Sequence, residues 1–167
     1  MSTTRTNIQV LTPSRKTQHP GDVFTVGLPD QTFIFGRVIS TTATWTIASN
    51  AGPANLIYLY RERSAAKQLP ALAALRPDRL LVRPIMTNRL PWSRGYFETL
   101  AHVPLTPADV LAQHCFRFPM GSGVRYFDDL GNELLEHPEP VGELALDSFR
   151  TIDDEISEAL GIPKVPN

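Results

Sequence analysis

The chain has 167 residues, 42% hydrophobic and 20% charged, with a formal net charge of −1. A chain of this length can bury roughly 70% of the surface it exposes when unfolded, so it needs no disulfide or metal to hold a core. Its single cysteine excludes an internal disulfide and a multi-thiolate metal site.

Residues 1–20 are polar apart from Ile8, Val10 and Leu11. They read as an N-terminal arm or a first short strand ahead of one domain spanning 21–167. The polar start is followed by no apolar h-region, and no stretch approaches the ~20 apolar residues of a membrane span. A cytoplasmic protein with no membrane partner is therefore expected.

Residues 22–28 are rich in β-formers and put Phe24, Val26 and Leu28 on one face. Pro29, Asp30 and Gln31 supply turn chemistry, and residues 33–39 return as the second strand of a hairpin. Gly36 inside that strand suggests a bulge or a tight bend. Strands follow at 44–47 and, after a turn at 50–53, at 56–60. Residues 64–75 change to Ala, Leu, Lys and Gln and predict a helix interrupted at Pro70.

A strand is expected over 80–86, a loop over 88–93 and a strand over 95–100. Thr106, Pro107 and Asp109 open a short helix running to about His114. Strands at 116–118 and 124–127 are joined through Gly121-Ser122-Gly123, and 128–132 turn into 133–135. The last helix is capped by Thr151, has Asp153, Asp154 and Glu155 in its first turn, and repeats Ile152, Ile156, Ala159 and Leu160 on one face. Gly161 and Pro163 stop it. The class is α+β: a β-rich single domain, a curved sheet or partial barrel with two or three short helices.

The small net charge hides a split. Residues 1–127 carry 14 Lys/Arg against 6 Asp/Glu, and residues 128–167 carry 2 against 11. Either folding interleaves the two sets, or an acidic face steers a basic partner. No compact Lys/Arg stripe appears, which argues against nucleic acid as a partner.

Reactive constellations do not assemble in the sequence. Gly121-Ser122-Gly123 lacks the Lys-Ser/Thr of a phosphate loop. His19, His102, His114 and His137 show no metal-ligand spacing and read as surface or turn residues. Cys115 reads as a buried thiol. Residues 128–133 lack the alternation of a calcium loop. No catalytic residue, metal ligand or cofactor is assigned. Residues 88–97 join Arg89, Trp92, Arg94 and Tyr96, residue types that dominate binding hot spots, although Trp92 could equally plug the end of the sheet.

Three stretches taken together carry a family resemblance: residues 21–30 with Phe35-Gly36-Arg37-Val38, then Thr87-Asn88-Arg89 with residues 91–97, then residues 151–156. Over about 21–161 the chain resembles the immunity protein 26 family of bacterial polymorphic toxin systems. The resemblance implies a mostly β cytosolic antidote that blocks a cognate toxin domain by stoichiometric binding, without catalysis. A basic, nuclease-type toxin would suit an acidic surface. Candidate partner-binding residues are Arg89, Trp92 and Arg94, with Asp153, Asp154, Glu155 and Glu158. A small-ligand-binding regulatory module is the alternative, with an apolar cavity lined by Phe24, Phe33, Trp45 or Trp92; a small hydrolase using Asp or Glu with His is another.

Overall fold

The computed structural model describes residues 5–48 and 51–166. β1 (Asp22–Gly27) and β2 (Phe33–Ala43) form the expected hairpin, extended by β3 (Ala54–Leu59), β4 (Ile85–Thr87) and β5 (Glu98–His102) into an antiparallel sheet ordered β4-β3-β2-β1-β5. Strand alternation sends Phe24, Val26, Ile34, Val38, Ile57 and Leu59 to one face and Val23, Phe35, Leu56, Tyr58 and Met86 to the other. Both faces are apolar, so both must be covered.

The first face is covered by α2 (Phe149–Leu160) through Ile152 and Ile156, by Trp92 of the one-turn helix α1 (Leu90–Ser93), and by Ile8. Over the second lies a smaller sheet, ordered β7-β6-β8, of β6 (Cys115–Met120), β7 (Gly123–Phe127) and β8 (Val141–Glu143). It contributes Phe116 and Phe127 to the second core, with Leu144 just beyond β8. The protein is thus α+β with two open sheets.

Gly36 is neither a bulge nor a bend. It pairs in register with Phe24 on one side and Leu59 on the other, and the irregularities of β2 fall later, between Val38 and Ala43. A side chain at Gly36 would strike the Phe24 ring and come within 2.9 Å of Leu59 Cδ2. The glycine leaves the space into which Phe24 lies down. Phe97 stacks on Phe24 at 4.4 Å, and Trp92 meets both rings edge-on at 5.3 and 5.0 Å.

Other expectations are corrected. Residues 44–47 do not form a strand, because β2 itself runs on to Ala43. Asn50 of the expected turn lies outside the described residues, as do Met1 to Thr4 of the expected arm. The helix expected at 64–75 is reduced to one 3-10 turn at Leu72–Ala74: Ser64 is bridged to Phe33, and Pro70 denies the segment a continuous ladder. Of the strand expected over 80–86 only β4 forms at its end, and the loop at 88–93 contains α1. β8 had no sequence signal. Helix α2 starts earlier than expected, with Ser148 rather than Thr151 as its cap, which places Asp153, Asp154 and Glu155 beyond the first turn.

The segment after β5 shows why the expected 106–114 helix stops after the single 3-10 turn Pro107–Asp109. Thr106 and Asp109 do form a capping box, Asp109 Oδ2 accepting from Thr106 N–H and Oγ1–H at 2.8 and 2.9 Å. Its Oδ1 lies 3.5 Å from Arg37 Nη1 and 3.2 Å from Arg76 Nη1. Arg37, 1% exposed in the middle of β2, also donates to the Val103 and Pro104 carbonyls at 2.7 and 3.3 Å. A buried guanidinium demands such partners. Beyond the turn the chain is extended, and Leu111 N–H donates to Tyr58 Oη at 3.1 Å.

Substituting Gly36→Ala is expected to destabilise the fold by about 1–3 kcal/mol or more, as overpacked cores are, whereas Gly52→Ala, with no atom within 4 Å of the new methyl, leaves stability nearly unchanged. Chemical denaturation of both variants checks this, and equal stabilities would remove the Phe24–Gly36 contact from the account.

A cationic groove as the candidate functional site

The site begins with how the N-terminal segment is held. Asp153 on α2 accepts from the backbone N–H groups of Asn7 and Ile8 at 3.1 and 2.8 Å. Burial pushes its carboxyl up, against the pull of those two donors. Gln9 N–H then donates to Gly27 O, Leu11 N–H to Gly95 O at 2.7 Å and Ser14 N–H to Trp92 O at 3.0 Å. Gly95 has φ +88°, and a side chain there would crowd Val10 and Pro13 at 3.0–3.1 Å. Glycine therefore allows both the turn after α1 and the close approach of the segment.

These bonds set Arg15 and Lys16 across from Arg89 and Arg94, which flank α1. The groove between them has a volume of about 480 Å³ and is lined by Ser14, Arg15, Lys16, Gln18, Arg89, Leu90, Ser93 and Arg94. Among the described residues no carboxylate lines it. All four cations are exposed, and none is in an ion pair among the described residues. The groove shares Ser14, Lys16 and Gln18 with a trough of about 990 Å³ that leads past His19, Asp22, Glu98 and His102.

Of the residues expected to meet a partner, the groove brings together Arg89 and Arg94. Trp92 is 1% exposed, and its ring belongs to the core. Asp153 is likewise buried, and its carboxylate serves the N-terminal segment. Glu155 accepts from Arg83 Nη2 at 2.8 Å, while Arg83 Nη1 holds Glu143 at 3.0 Å. That leaves Asp154 and, paired only with Lys164 at 3.3 Å, Glu158. Arg15 and Lys16 were missed. They form an adjacent basic pair in a polar stretch, and sequence alone does not say what they face.

Two histidine–carboxylate arrangements also escaped the sequence reading. In the trough, Asp22 accepts from His19 N–H at 2.9 Å and pairs through Oδ1 with His102 Nδ1 at 2.9 Å. Among the described residues no hydroxyl is bonded to His102. In the interior, His114 is 6% exposed, not a surface or turn residue. Its Nε2 lies 2.5 Å from Tyr58 Oη and its Nδ1 3.3 Å from Asp129 Oδ1. Tyr58 Oη also accepts from Leu111 N–H at 3.1 Å, so the phenol, the imidazole and the Asp129 carboxylate form one hydrogen-bonded chain. Burial pushes Tyr58 up to about 12, and the His114 hydrogen bond draws Asp129 down. Cys115, next in sequence, is a buried thiol pushed up by desolvation. Asp128 is occupied by its own turn, accepting from the N–H groups of Leu130 and Asn132. Among the described residues no group of three or more His, Cys, Asp or Glu side chains is placed to hold a metal ion.

Asp147 lies close to the Arg83 cluster. Burial, and then the Glu155 charge, raise it to about 6 despite Arg83. Because this value lies above the unfolded one, the folded state binds the proton more tightly. The group's contribution to stability is full below about pH 4 and is lost as pH rises through 6. Relative to the parent, Asp147→Asn is expected to gain stability steadily between pH 4 and 6 and to hold that gain above pH 7. Denaturation across this range measures it, and a parent–variant difference independent of pH would contradict the assignment.

A protein-family model described as Immunity protein 26 matches residues 19–125. No curated protein matches the chain, and no solved structure does. No helix among the described residues is long and apolar enough to cross a membrane. The family match spans well over half of the sequence and includes the Phe24–Gly36 hairpin, Trp92, Phe97, Arg89 and Arg94. The chain belongs to the Immunity protein 26 family.

Proposed function

We propose that the protein is a cytosolic immunity protein of a polymorphic toxin system, which neutralises a cognate toxin domain by one-to-one binding and without turnover. Family membership supports the role. The observation that carries the mode of action is the groove: four exposed cations held in place with no internal counter-charge. Such a surface steers association and fixes register without reactive groups.

A basic, nuclease-type toxin would instead meet the acids of α2. Of the four proposed there, Asp153 is buried and Glu155 is engaged by Arg83, which leaves Asp154 and Glu158. Two charges against four put the groove ahead as the steering surface. The small-ligand reading required an apolar cavity, but Phe24 and Trp92 pack on each other in the core and Phe33 and Trp45 pack against the second core. The hydrolase reading finds its best support in the Asp22–His102 pair, which orients one imidazole as a general base requires.

Co-expression with the cognate toxin domain, to be sought at the C-terminus of a large secreted protein encoded beside this chain, is expected to yield a one-to-one complex by light scattering and to restore growth to cells making that domain. Growth restored with no complex, at substoichiometric amounts of the protein, would replace inhibition by catalysis.

A further inference from the structure

We infer that the groove between the N-terminal segment and α1 receives an acidic segment of the toxin, its carboxylates held by Arg15, Lys16, Arg89 and Arg94. This rests on the inhibitory reading above and adds the chemistry of the contact. It reverses the partner charge that the acidic end of the sequence suggests.

Of the other basic side chains, Arg37, Arg63, Lys67, Arg83 and Arg125 are paired with carboxylates of this chain, and Arg61 and Arg79 share a pocket with Glu62 and Asp78. In the groove the opposite holds. The hydrogen bonds from Leu11 to Gly95 and from Ser14 to Trp92 bring two cations of one segment against two flanking α1, with no acid between them. Like charges held close repel, and an incoming anion relieves that repulsion while gaining charge-assisted hydrogen bonds. Three of the four cations are arginines, whose planar donors match a carboxylate in bidentate fashion.

The groove wall favours a peptide over a nucleic acid. Leu90, 39% exposed, lies between Arg89 and Arg94 in the sequence and in the groove wall. An apolar patch inside a charged rim is the anatomy of a protein contact. A duplex presents one charge per ~1.7 Å of axis and is followed by an extended basic stripe. Here the groove continues into the trough toward Asp22 and Glu98, which would repel a polyanion laid along it.

The test compares the full chain with an R15E/K16E/R89E/R94E variant and an R89K/R94K variant. The pairs R15E/K16E and R89E/R94E are made separately in case the fourfold variant does not fold. Association with the cognate toxin domain is followed at several salt concentrations. In parallel, fluorescence anisotropy measures binding of a labelled peptide of Glu, Asp and Leu and of an oligonucleotide of equal formal charge. Charge reversal is expected to weaken the toxin complex by about tenfold or more and to flatten its salt dependence, mostly through slower association, while the lysine variant keeps the parent's salt dependence and loses only the bidentate part of the affinity. An unchanged complex overturns the groove assignment and leaves the inhibitory reading standing. If the parent forms no complex, the inhibitory reading fails and the peptide arm decides: salt-sensitive peptide binding lost on charge reversal supports the groove. Preference for the oligonucleotide, or binding of neither probe, overturns it.

Discussion

A phenyl ring lying over a residue with no side chain sets the geometry of one whole face of this protein. Phe24 occupies the space above Gly36, and that position lets Trp92 and Phe97 close around it. Trp92 is thereby fixed, and α1 with it. The carbonyls of Trp92 and Gly95 then receive the N–H groups of Ser14 and Leu11. The groove is the last link of this chain: Arg89 and Arg94 are placed by the buried tryptophan between them, and Arg15 and Lys16 by the segment laid across it. Aromatic contacts of this kind contribute beyond their buried area, so they can hold an arrangement that electrostatics alone opposes.

The charge split along the sequence is mostly consumed in folding. Arg83 and Arg125, from the basic part, hold Glu143, Glu155 and Glu133 from the acidic part. Asp153, which looks like a surface acid at a helix start, uses its carboxylate to dock the N-terminal segment. It thus serves the cationic site. The central sheet imposes a similar discipline on its second face. Arg37 and Tyr58 point into an otherwise apolar layer, and each recruits its partners from a loop: Asp109 and two carbonyls for the arginine, His114 and Leu111 for the tyrosine. Burial makes these bonds obligatory, so the loop that supplies them is held to the sheet by polar contacts as well as by packing.

The hairpin of β1 and β2, the β6–β7 hairpin, the burial of Cys115 and the Ile152–Ile156 part of the apolar face of α2 were legible in the sequence, because each is written in local periodicity and turn residues, whereas Ala159, expected on that face, is exposed. Composition misled at 64–75, where helix-forming residues meet a Pro and a tertiary bridge from Ser64 to Phe33. It misled again at 106–114, where Thr106, Pro107 and Asp109 were legible as a helix start but the long-range claim of Arg37 on Asp109 was invisible. A lone arginine in the apolar run 33–39 was the available hint. β8 pairs in parallel with β6 through only three residues, too few for a pattern. Half of the groove was legible as Arg89 and Arg94 in a stretch rich in hot-spot residues. The other half depended on an N-terminal segment whose docking is encoded over a hundred residues away, at Asp153.

The central claim is that this protein acts through its outside, at the groove joining the N-terminal segment to α1. Hydrogen–deuterium exchange of the full chain, free and saturated with its toxin domain, examines that claim residue by residue. Slowed exchange is predicted for residues 15–18 and 89–95, with the exposed side of α2 little changed. Protection confined to α2 or to the β6–β7 hairpin, with both walls of the groove exchanging as in the free protein, would contradict it.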